Sequence, residues 1–338
     1  MAVSIPSCID HPLLLVRLAD GRLHSGEWLA QELGVSRAAV WKGVERLRAQ
    51  GIKVQALPRR GYRLPHAVEL LDARRIRAAM DEGLSRQLRH LELLFEVDST
   101  NTRLLGAAPP PYGSADACLC ELQQAGRGRR GRRWIAPFGA SLAMSLGWAF
   151  SEASRALPAL SLGVGVAVSR ALARAGARGI SLKWPNDIWF NDRKMGGVLL
   201  ELKAEAGGPA HVVIGIGLNI LLSAESRREI EETLVRVAAV ADACPEPPSR
   251  NWLAGVLLDE LLSMLAQFGR EGFAPFRQDW MDLDALAGRP VQVSVGELAI
   301  DGIASGVDSD GALLLESGGK VRKFVSGEVS LRLNESAA

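Results

Sequence analysis

The stretch from Gln123 to Trp134 is QQAGRGRRGRRW, and it places five arginines and three glycines within residues 126–134. It lies between two apolar runs, Cys118–Leu122 and Leu142–Trp148, which predict β-strands. Five like charges this close together repel one another and favour disorder, whereas an anionic ligand would neutralise them. The stretch therefore predicts a loop that becomes ordered over a phosphate-bearing ligand, with backbone N–H and guanidinium groups as donors.

Three other interpretations of this loop compete with that prediction. It satisfies the pattern G-x-G-x-x-G of dinucleotide-binding turns, but such a turn needs a helix opening directly from it and an acidic residue about 20 positions later. Pro137 and a strand-like run stand where the helix would begin. An RNA-binding tail fits poorly, because the segment is single and embedded between apolar strands. A solvated charge run without a ligand is an alternative that the loop alone leaves open.

Composition predicts a multidomain protein with an uneven charge distribution. The 338 residues suffice for two or three domains, and 48% of them are hydrophobic. Residues 1–65 carry ten Lys and Arg against five Asp and Glu, whereas the rest of the chain carries 30 against 33. Four cysteines without a CxxC pair and five scattered histidines argue against a zinc or disulfide framework. We expect a cytoplasmic protein that does not bind membranes, because the sequence shows neither a signal pattern nor an uninterrupted apolar span.

Residues 1–66 predict a winged helix-turn-helix domain. Three helices are expected; Ser25 and Ser36 can cap the second and third, which a short Gly-Val-Ser turn joins. Alternating apolar residues around a PRRG turn predict a two-stranded wing. The predicted DNA contacts on the third helix and the wing are Arg37, Lys42, Arg46, Arg59, Arg60 and Arg63. This surface would bind phosphates with the helix in the major groove, although a winged helix that binds only protein has the same pattern.

The rest of the chain predicts an α+β arrangement. Residues 67–285 hold clustered strand-like runs with connections of varied length, which indicates a mixed sheet rather than regular βαβ repeats. Helices are expected near residues 157–174, 225–238 and 251–270, and a linker-like segment without a strong cap follows the wing. Over residues 286–338, short alternating runs separated by Asp-Gly and Gly-Gly turns predict a small β-barrel.

Four short polar motifs lie among the apolar runs of the middle domain: DSTN (98–101), KWPND (183–187), RKMGG (193–197) and GIGLN (215–219). Glycines inside a strand weaken it unless something must approach the backbone closely. Gly196 and Gly197 therefore indicate a flat ligand lying against the sheet. Ser99, taken alone, is equally well explained as the N-cap of a helix.

These motifs, in this order with QQAGRGRRGRRW, resemble the catalytic domain of biotin protein ligases. With the winged helix in front, the chain resembles the bifunctional bacterial ligases that also repress the biotin operon, from about residue 13 to 333. The resemblance implies a catalytic domain similar to class II aminoacyl-tRNA synthetases and an SH3-like C-terminal barrel. It also implies that biotin and Mg²⁺-ATP form biotinyl-5′-adenylate. A lysine of the biotin carboxyl carrier protein of acetyl-CoA carboxylase would then attack this mixed anhydride.

The same resemblance implies roles for individual residues. Biotin would contact Ser99, Thr100, Asn101, Gln123, Gly126, Arg127, Arg129, Trp134, Lys194, Gly196 and Gly197. ATP and the adenylate would contact Arg127, Arg129, Arg132, Lys183, Lys194 and Asn219. The catalytic residues would be Lys194, Arg129, Lys183 and Asp187, with Asp187 also positioning Mg²⁺. Arg129 is expected to retain the adenylate. The segment 220–244 contains no aromatic residue, so adenine would pack on aliphatic side chains there.

The adenylate would also act as corepressor, by favouring a homodimer that places two winged helices on one operator. Three other functions fit much of the sequence: a biotin-sensing repressor without ligation, a lipoate-transferring relative, and a ligase without repression. The presence of Lys194 and Arg129 favours ligation. The polar side chains of DSTN together with Gln123 suit a ureido ring better than a dithiolane.

Overall fold

The protein is described from a computed structural model, which covers residues 11–151, 157–204, 209–233, 236–295, 298–325 and 329–333. The chain divides into two units, Met1–Leu70 and Leu71–Ala338.

The first unit is a winged helix-turn-helix, as predicted. Its elements are α1 (His11–Leu18), α2 (Gly26–Glu32), α3 (Arg37–Ala49), β1 (Gln55–Leu57) and β2 (Gly61–Arg63). Both predicted caps are confirmed, because the hydroxyls of Ser25 and Ser36 accept backbone N–H groups at 3.0 and 3.1 Å. The wing strands pair antiparallel. Gly61 is the first residue of β2 and has a φ of 131°. A Cβ at this position would lie 1.9 Å from the carbonyl oxygen of His24, so a residue with a side chain would not fit.

A seven-stranded mixed sheet forms the centre of the second unit. Its strands are β3 (Leu88–Val97), β4 (Ala115–Gln123), β5 (Ser141–Phe150), β6 (Ile180–Lys183), β7 (Asp187–Phe190), β8 (Arg193–Ala204) and β9 (Ala210–Asn219). Their order is β3-β4-β5-β9-β8-β7-β6, with β3 and β4 parallel and the other neighbouring pairs antiparallel. The predicted mixed sheet is confirmed.

The helices of this unit are α4 (Ala73–Ala78), α5 (Glu82–Ser85), α6 (Thr100–Leu105), α7 (Leu160–Arg174), α8 (Ala224–Glu231), α9 (Val240–Ala243), α10 (Arg250–Glu271) and α11 (Ala274–Asp282). Most of them contribute to the main core on one face of the sheet, whereas Leu104 of α6 packs on the opposite face with Cys118 and Val213, and Ile230 of α8 belongs to a separate apolar cluster. Of these, α7 and α10 pack on alternate strand residues such as Leu142 and Leu218 to form the main core. The segments Leu157–Arg174 and Arg250–Glu271 have the length and composition of membrane spans, but 72% and 67% of their apolar windows are buried inside the protein. They are core helices here.

Two predictions about the helices were wrong. The helix expected over 225–238 ends at Glu231, because the backbone of residues 236–238 pairs with Lys194 of β8 instead: Lys194 donates its N–H to Arg236 and accepts one from Ala238, both at 2.9 Å. The segment after the wing does have a strong cap. The Asp72 carboxylate accepts the N–H groups of Arg74 and Arg75 at the start of α4.

The cysteines of the described residues are buried thiols, and Cys8 lies outside those residues. Cys118 and Cys120 occupy same-face positions of β4, as predicted for core side chains. Burial raises the pKa of each to about 12, so both stay protonated at neutral pH.

The C-terminal strands form an antiparallel sheet in the order β13-β12-β11-β10-β14. They are β10 (Pro290–Val295), β11 (Leu298–Val307), β12 (Leu313–Ser317), β13 (Lys320–Phe324) and β14 (Val329–Leu333), and they lie in the alternating runs that the sequence predicted as strands. Val291 and Leu315 extend the main core into this sheet. In addition, the indole N–H of Trp184 donates to the Gly311 carbonyl at 3.1 Å. The KWPND turn is therefore anchored to the C-terminal sheet.

Candidate active site

The face of the seven-stranded sheet opposite α7 and α10 carries most of the predicted ligand contacts. Along β9, Gly215 and Gly217 alternate with apolar side chains of the core, so the glycines point to the other face. A Cβ at Gly217 would lie 2.5 Å from the ring of Trp134, and one at Gly215 would lie 2.4 Å from the side-chain oxygen of Asn101. Both predicted side chains thus rest directly on the sheet because these positions are glycine.

The two glycines of RKMGG face opposite sides of β8. A Cβ at Gly196 would lie 2.4 Å from the Leu218 side chain, which belongs to the core. One at Gly197 would lie 3.4 Å from Lys194 Nζ and 3.5 Å from Asp187 Oδ1. Gly197 therefore lies beside the charged pair of Lys194 and Asp187, away from the core. Gly196 makes room for core packing, which differs from its predicted role.

A buried polar cluster lies where β3 meets α6. The Ser145 hydroxyl is 2.7 Å from Thr100 Oγ1 and 2.5 Å from Asn101 Oδ1. The Thr100 N–H donates to the side-chain oxygen of Gln123 at 3.0 Å. Ser99 is only 5% exposed and occupies the N-cap position of α6, but its side chain makes no capping hydrogen bond. The capping interpretation of Ser99 is therefore not supported.

Asn101 differs from its predicted role because its carboxamide is already committed. Its oxygen faces Ser145, and its NH₂ group donates to Glu201 Oε2 at 2.8 Å. Glu201 also meets the glycine-arginine loop, where the Arg127 guanidinium lies 3.4 Å from Glu201 Oε1 and donates to Thr102 Oγ1 at 2.8 Å. Asn101 therefore links Ser145 to Glu201 and holds these side chains in place.

Three of the predicted catalytic residues converge beside the turn between β6 and β7, where Asp187 begins β7. Lys194 Nζ lies 2.6 Å from Asp187 Oδ1 and 5.9 Å from the Trp134 ring centroid. Arg129 reaches Asn186 Oδ1 at 3.4 Å. Burial lowers the pKa of Arg129, Asp187 opposes that shift, and the neighbouring loop arginines add to it. An anionic ligand would stabilise this half-buried cation.

The remaining predicted contacts lie around this centre. Lys183 of β6 lies opposite Asp187 of β7 in the antiparallel strand pairing. Its Nζ is 4.5 Å from the Trp189 ring centroid. Arg132 is exposed. Gly126 is buried, and its carbonyl accepts the Trp134 N–H at 2.8 Å, which closes the loop as a narrow hairpin. Asn219 is 2% exposed and donates to the Ala238 carbonyl at 3.1 Å, so it holds the segment after α8 against β9.

The donor set at Asp187 fits a magnesium ion only together with phosphate oxygens. The described residues contain no group of three or more His, Cys, Asp or Glu side chains that could hold a metal. One oxygen of Asp187 is bonded to Lys194, which leaves the other for a ligand. Mg²⁺ is commonly held by one or two carboxylates plus substrate phosphates, and Asp187 can supply one such carboxylate.

Five residues that were not predicted as ligand contacts also belong to this site: Ser145, Asn186, Glu201, Gly215 and Gly217. The glycines carried a signal, because GIG inside a strand is the same exception that drew attention to RKMGG. Asn186 lies within the KWPND motif, which also carried a signal. Ser145 and Glu201 carried none, since their side chains enter the site only through strand pairing and loop folding.

In the winged helix, all six predicted DNA contacts are exposed: Arg37, Lys42, Arg46, Arg59, Arg60 and Arg63. Arg63 also donates to the Gln55 side chain at 2.8 Å, which crosses the two wing strands.

Comparison with known proteins gives matches along the chain. Residues 94–219 match the biotin/lipoate A/B protein ligase family, residues 12–63 match an HTH domain, and residues 287–332 match the biotin protein ligase C-terminal domain. The bifunctional ligase/repressor BirA of Salmonella typhimurium is 40% identical over 326 residues, which covers 96% of this chain and 98% of that protein. BirA of Escherichia coli is 40% identical over 323 residues, or 95% and 97%. The biotin protein ligase of Aquifex aeolicus in complex with biotin and ATP superposes with a TM-score of 0.61 at 30% identity, covering 73% of this chain and all of that one.

Proposed function

The chain belongs to the biotin protein ligase family, in its bifunctional ligase/repressor form, and from this premise we propose how it activates and transfers biotin. First, a carboxylate oxygen of biotin attacks the α-phosphorus of ATP, and pyrophosphate leaves. Second, an acceptor lysine attacks the acyl carbon of biotinyl-5′-adenylate, forms an amide and releases AMP. The acceptor supplies the nucleophile, so the enzyme contributes positioning and electrostatics.

The observation that carries this proposal is the convergence of Lys194, Asp187 and Arg129 beside Trp134, on a sheet face opened by Gly217. Negative charge builds on the oxygens of the transferring phosphate and on the leaving pyrophosphate, and fixed cations stabilise that charge. Lys194 would meet the biotin carboxylate first and the adenylate phosphate afterwards. The indole N–H of Trp134 is buried without a partner among the described residues, so it can donate to a ligand.

Biotin would lie with its ureido ring at the polar cluster. Thr100 and Gln123 would bind the ring, with Ser99 beside them and Asn101 holding the cluster through Ser145 and Glu201. Adenine would pack on an aliphatic group that the loop and the segment after β9 form together, namely Leu222, Ile230, Val237 and Ala239 with Ile135 and Ala140. The phosphates, with one Mg²⁺ at Asp187, would then lie between Lys183, Lys194 and the loop arginines.

We also propose the macromolecular partners. The acceptor would be the biotin carboxyl carrier protein of acetyl-CoA carboxylase, and the DNA would be the operator of the biotin operon, both in the cytoplasm. Biotinyl-5′-adenylate would act as corepressor by favouring a homodimer. The exposed basic residues of α3 and the wing support DNA binding, since phosphate contacts supply most of its electrostatic affinity.

The test of this function is ATP–pyrophosphate exchange with biotin, with lipoate as the competing acid, followed by addition of a carrier domain. We expect exchange with biotin alone, dependent on Mg²⁺, and then a stable amide on the acceptor lysine. Tight biotin binding without exchange would overturn the ligase mechanism and leave a ligand-sensing repressor.

Glu201→Gln provides a second test, because it alters the contact that ties the loop to the sheet. Glutamine keeps an oxygen that can accept from Asn101 but loses the charge that attracts Arg127. A part-exposed ion pair is worth about 1 kcal/mol or less, so we expect biotin to dissociate up to about fivefold faster, measured by stopped-flow fluorescence.

Glu92→Gln is the matched control for Glu201→Gln. It breaks a comparable ion pair with Arg103, at 2.8 Å, that does not touch the loop. Equal dissociation rates in the two variants would contradict the tethering role of Glu201.

A further inference from the structure

The recognition helix α3 carries a large exposed tryptophan, and we propose that Trp41 reads a thymine methyl group in the operator and so helps to determine its sequence. This inference rests on the operator binding proposed above. It adds one specificity-determining residue to a surface otherwise described by its positive charge.

Trp41 lies near the centre of the outward side of α3. The inward side of the helix is Ala39, Val40, Gly43, Val44 and Leu47, all buried. At 3.6 residues per turn, the side opposite that stripe is centred on Ala38, Trp41, Lys42 and Glu45, with Arg37 and Arg46 at its two edges. The edges would therefore meet phosphates across the groove, while the centre faces the bases.

The central residues offer few hydrogen bonds to bases. Glu45 is 2.8 Å from Arg48, which holds it in an ion pair. Lys42 supplies a single flexible cation. Ala38, Trp41, Lys42 and Glu45 include no Arg, Asn or Gln, so Lys42 is the one cation among them that can reach guanine. Apolar contact is a second means of direct readout, and in the major groove its target is the C5 methyl of thymine.

The indole of Trp41 is available for such a contact. It is 55% exposed, and among the described residues it stacks on no other ring. Trp28, in contrast, stacks on His24 with a centroid distance of 4.5 Å. Trp41 also lies in the second turn of α3, and the N-terminal part of a recognition helix is the part that reaches base edges.

The probe for the test is a duplex recovered by in vitro selection from a random-sequence library, using the full-length protein with biotin and ATP. Each thymine of the selected site is then replaced by deoxyuridine, which removes the C5 methyl group and nothing else. For the wild type, we expect one position in each half-site where deoxyuridine weakens binding about fourfold, the affinity equivalent of one buried methyl group. In Trp41→Ala the same replacement should have no effect, and Trp41→Phe should keep part of it.

The controls separate the possible outcomes. Leu13→Ala removes another exposed apolar side chain, 53% exposed on α1, and should leave the deoxyuridine profile unchanged. Thermal unfolding and biotin-dependent pyrophosphate exchange check that each variant is folded. A deoxyuridine profile that is the same in the wild type and Trp41→Ala overturns the inference, even if the variant binds all duplexes more weakly. If the wild type selects no sequence at all, the proposed operator binding fails as well.

Discussion

Replacement of Lys194 by methionine is expected to lower biotin-dependent ATP–pyrophosphate exchange by about 10²–10³-fold, the usual cost of removing one donor at a site of developing charge. Methionine keeps an unbranched apolar side chain on β8 but removes the ammonium group. That group lies 2.6 Å from Asp187 and faces the Trp134 ring. Because it stabilises charge during the transfer, kcat should fall more than the affinity for ATP. Exchange within threefold of the wild type would contradict this role.

A double variant separates the lost cation from the carboxylate that its loss exposes. In Lys194→Met, Asp187 loses its partner and would repel the phosphates of ATP. If that repulsion caused the defect, then Asp187→Asn combined with Lys194→Met would restore exchange. We expect no restoration, because the cation is still missing and Asp187→Asn also removes the carboxylate proposed to hold Mg²⁺; restored exchange would show that repulsion by Asp187 causes the defect. Lys203→Met is the matched control: it removes an exposed lysine further along β8 and should exchange like the wild type.

Arg129→Gly is expected to release biotinyl-5′-adenylate about 10–100-fold faster, because it removes a charge-assisted hydrogen bond to the phosphate worth about 1.5–3 kcal/mol. Arg129 is half-buried beside Asn186 and Asp187, and burial lowers its pKa. Burial therefore disfavours the charged guanidinium, and an anionic ligand would offset that desolvation cost. Exchange should persist at a reduced rate. The escaping adenylate should then label lysines of proteins that are not the acceptor.

Arg130→Gly is the matched control for Arg129→Gly. It removes the same charge from the same loop, and glycine suits the φ of 59° at that position. We expect adenylate release from this variant to stay within about twofold of the wild type. Release that is equally fast from both variants would show that total loop charge, rather than the position of Arg129, retains the adenylate.

Some contacts in the site join residues that are distant in sequence, and local sequence patterns could not predict them. Lys194 and Asp187 are seven residues apart, and the antiparallel pairing of β7 with β8 brings them into contact. Glu201 and Asn101 are 100 residues apart and meet because β8 passes the start of α6. The backbone of residues 236–238 was predicted to be helical, yet it pairs with Lys194 because a tertiary partner outweighs a weak helical pattern.

What the sequence determined by itself was local: the serine caps of the winged helix, the alternating strands, and motifs that pair glycine with charged side chains. Those features depend on side-chain spacing and backbone conformation within a few residues. The tertiary structure decided which side of the sheet each motif faces. It directs Gly217 toward Trp134, Gly197 toward the Lys194–Asp187 pair and Gly196 toward the core, since adjacent strand residues point to opposite faces and strand register sets which face is buried.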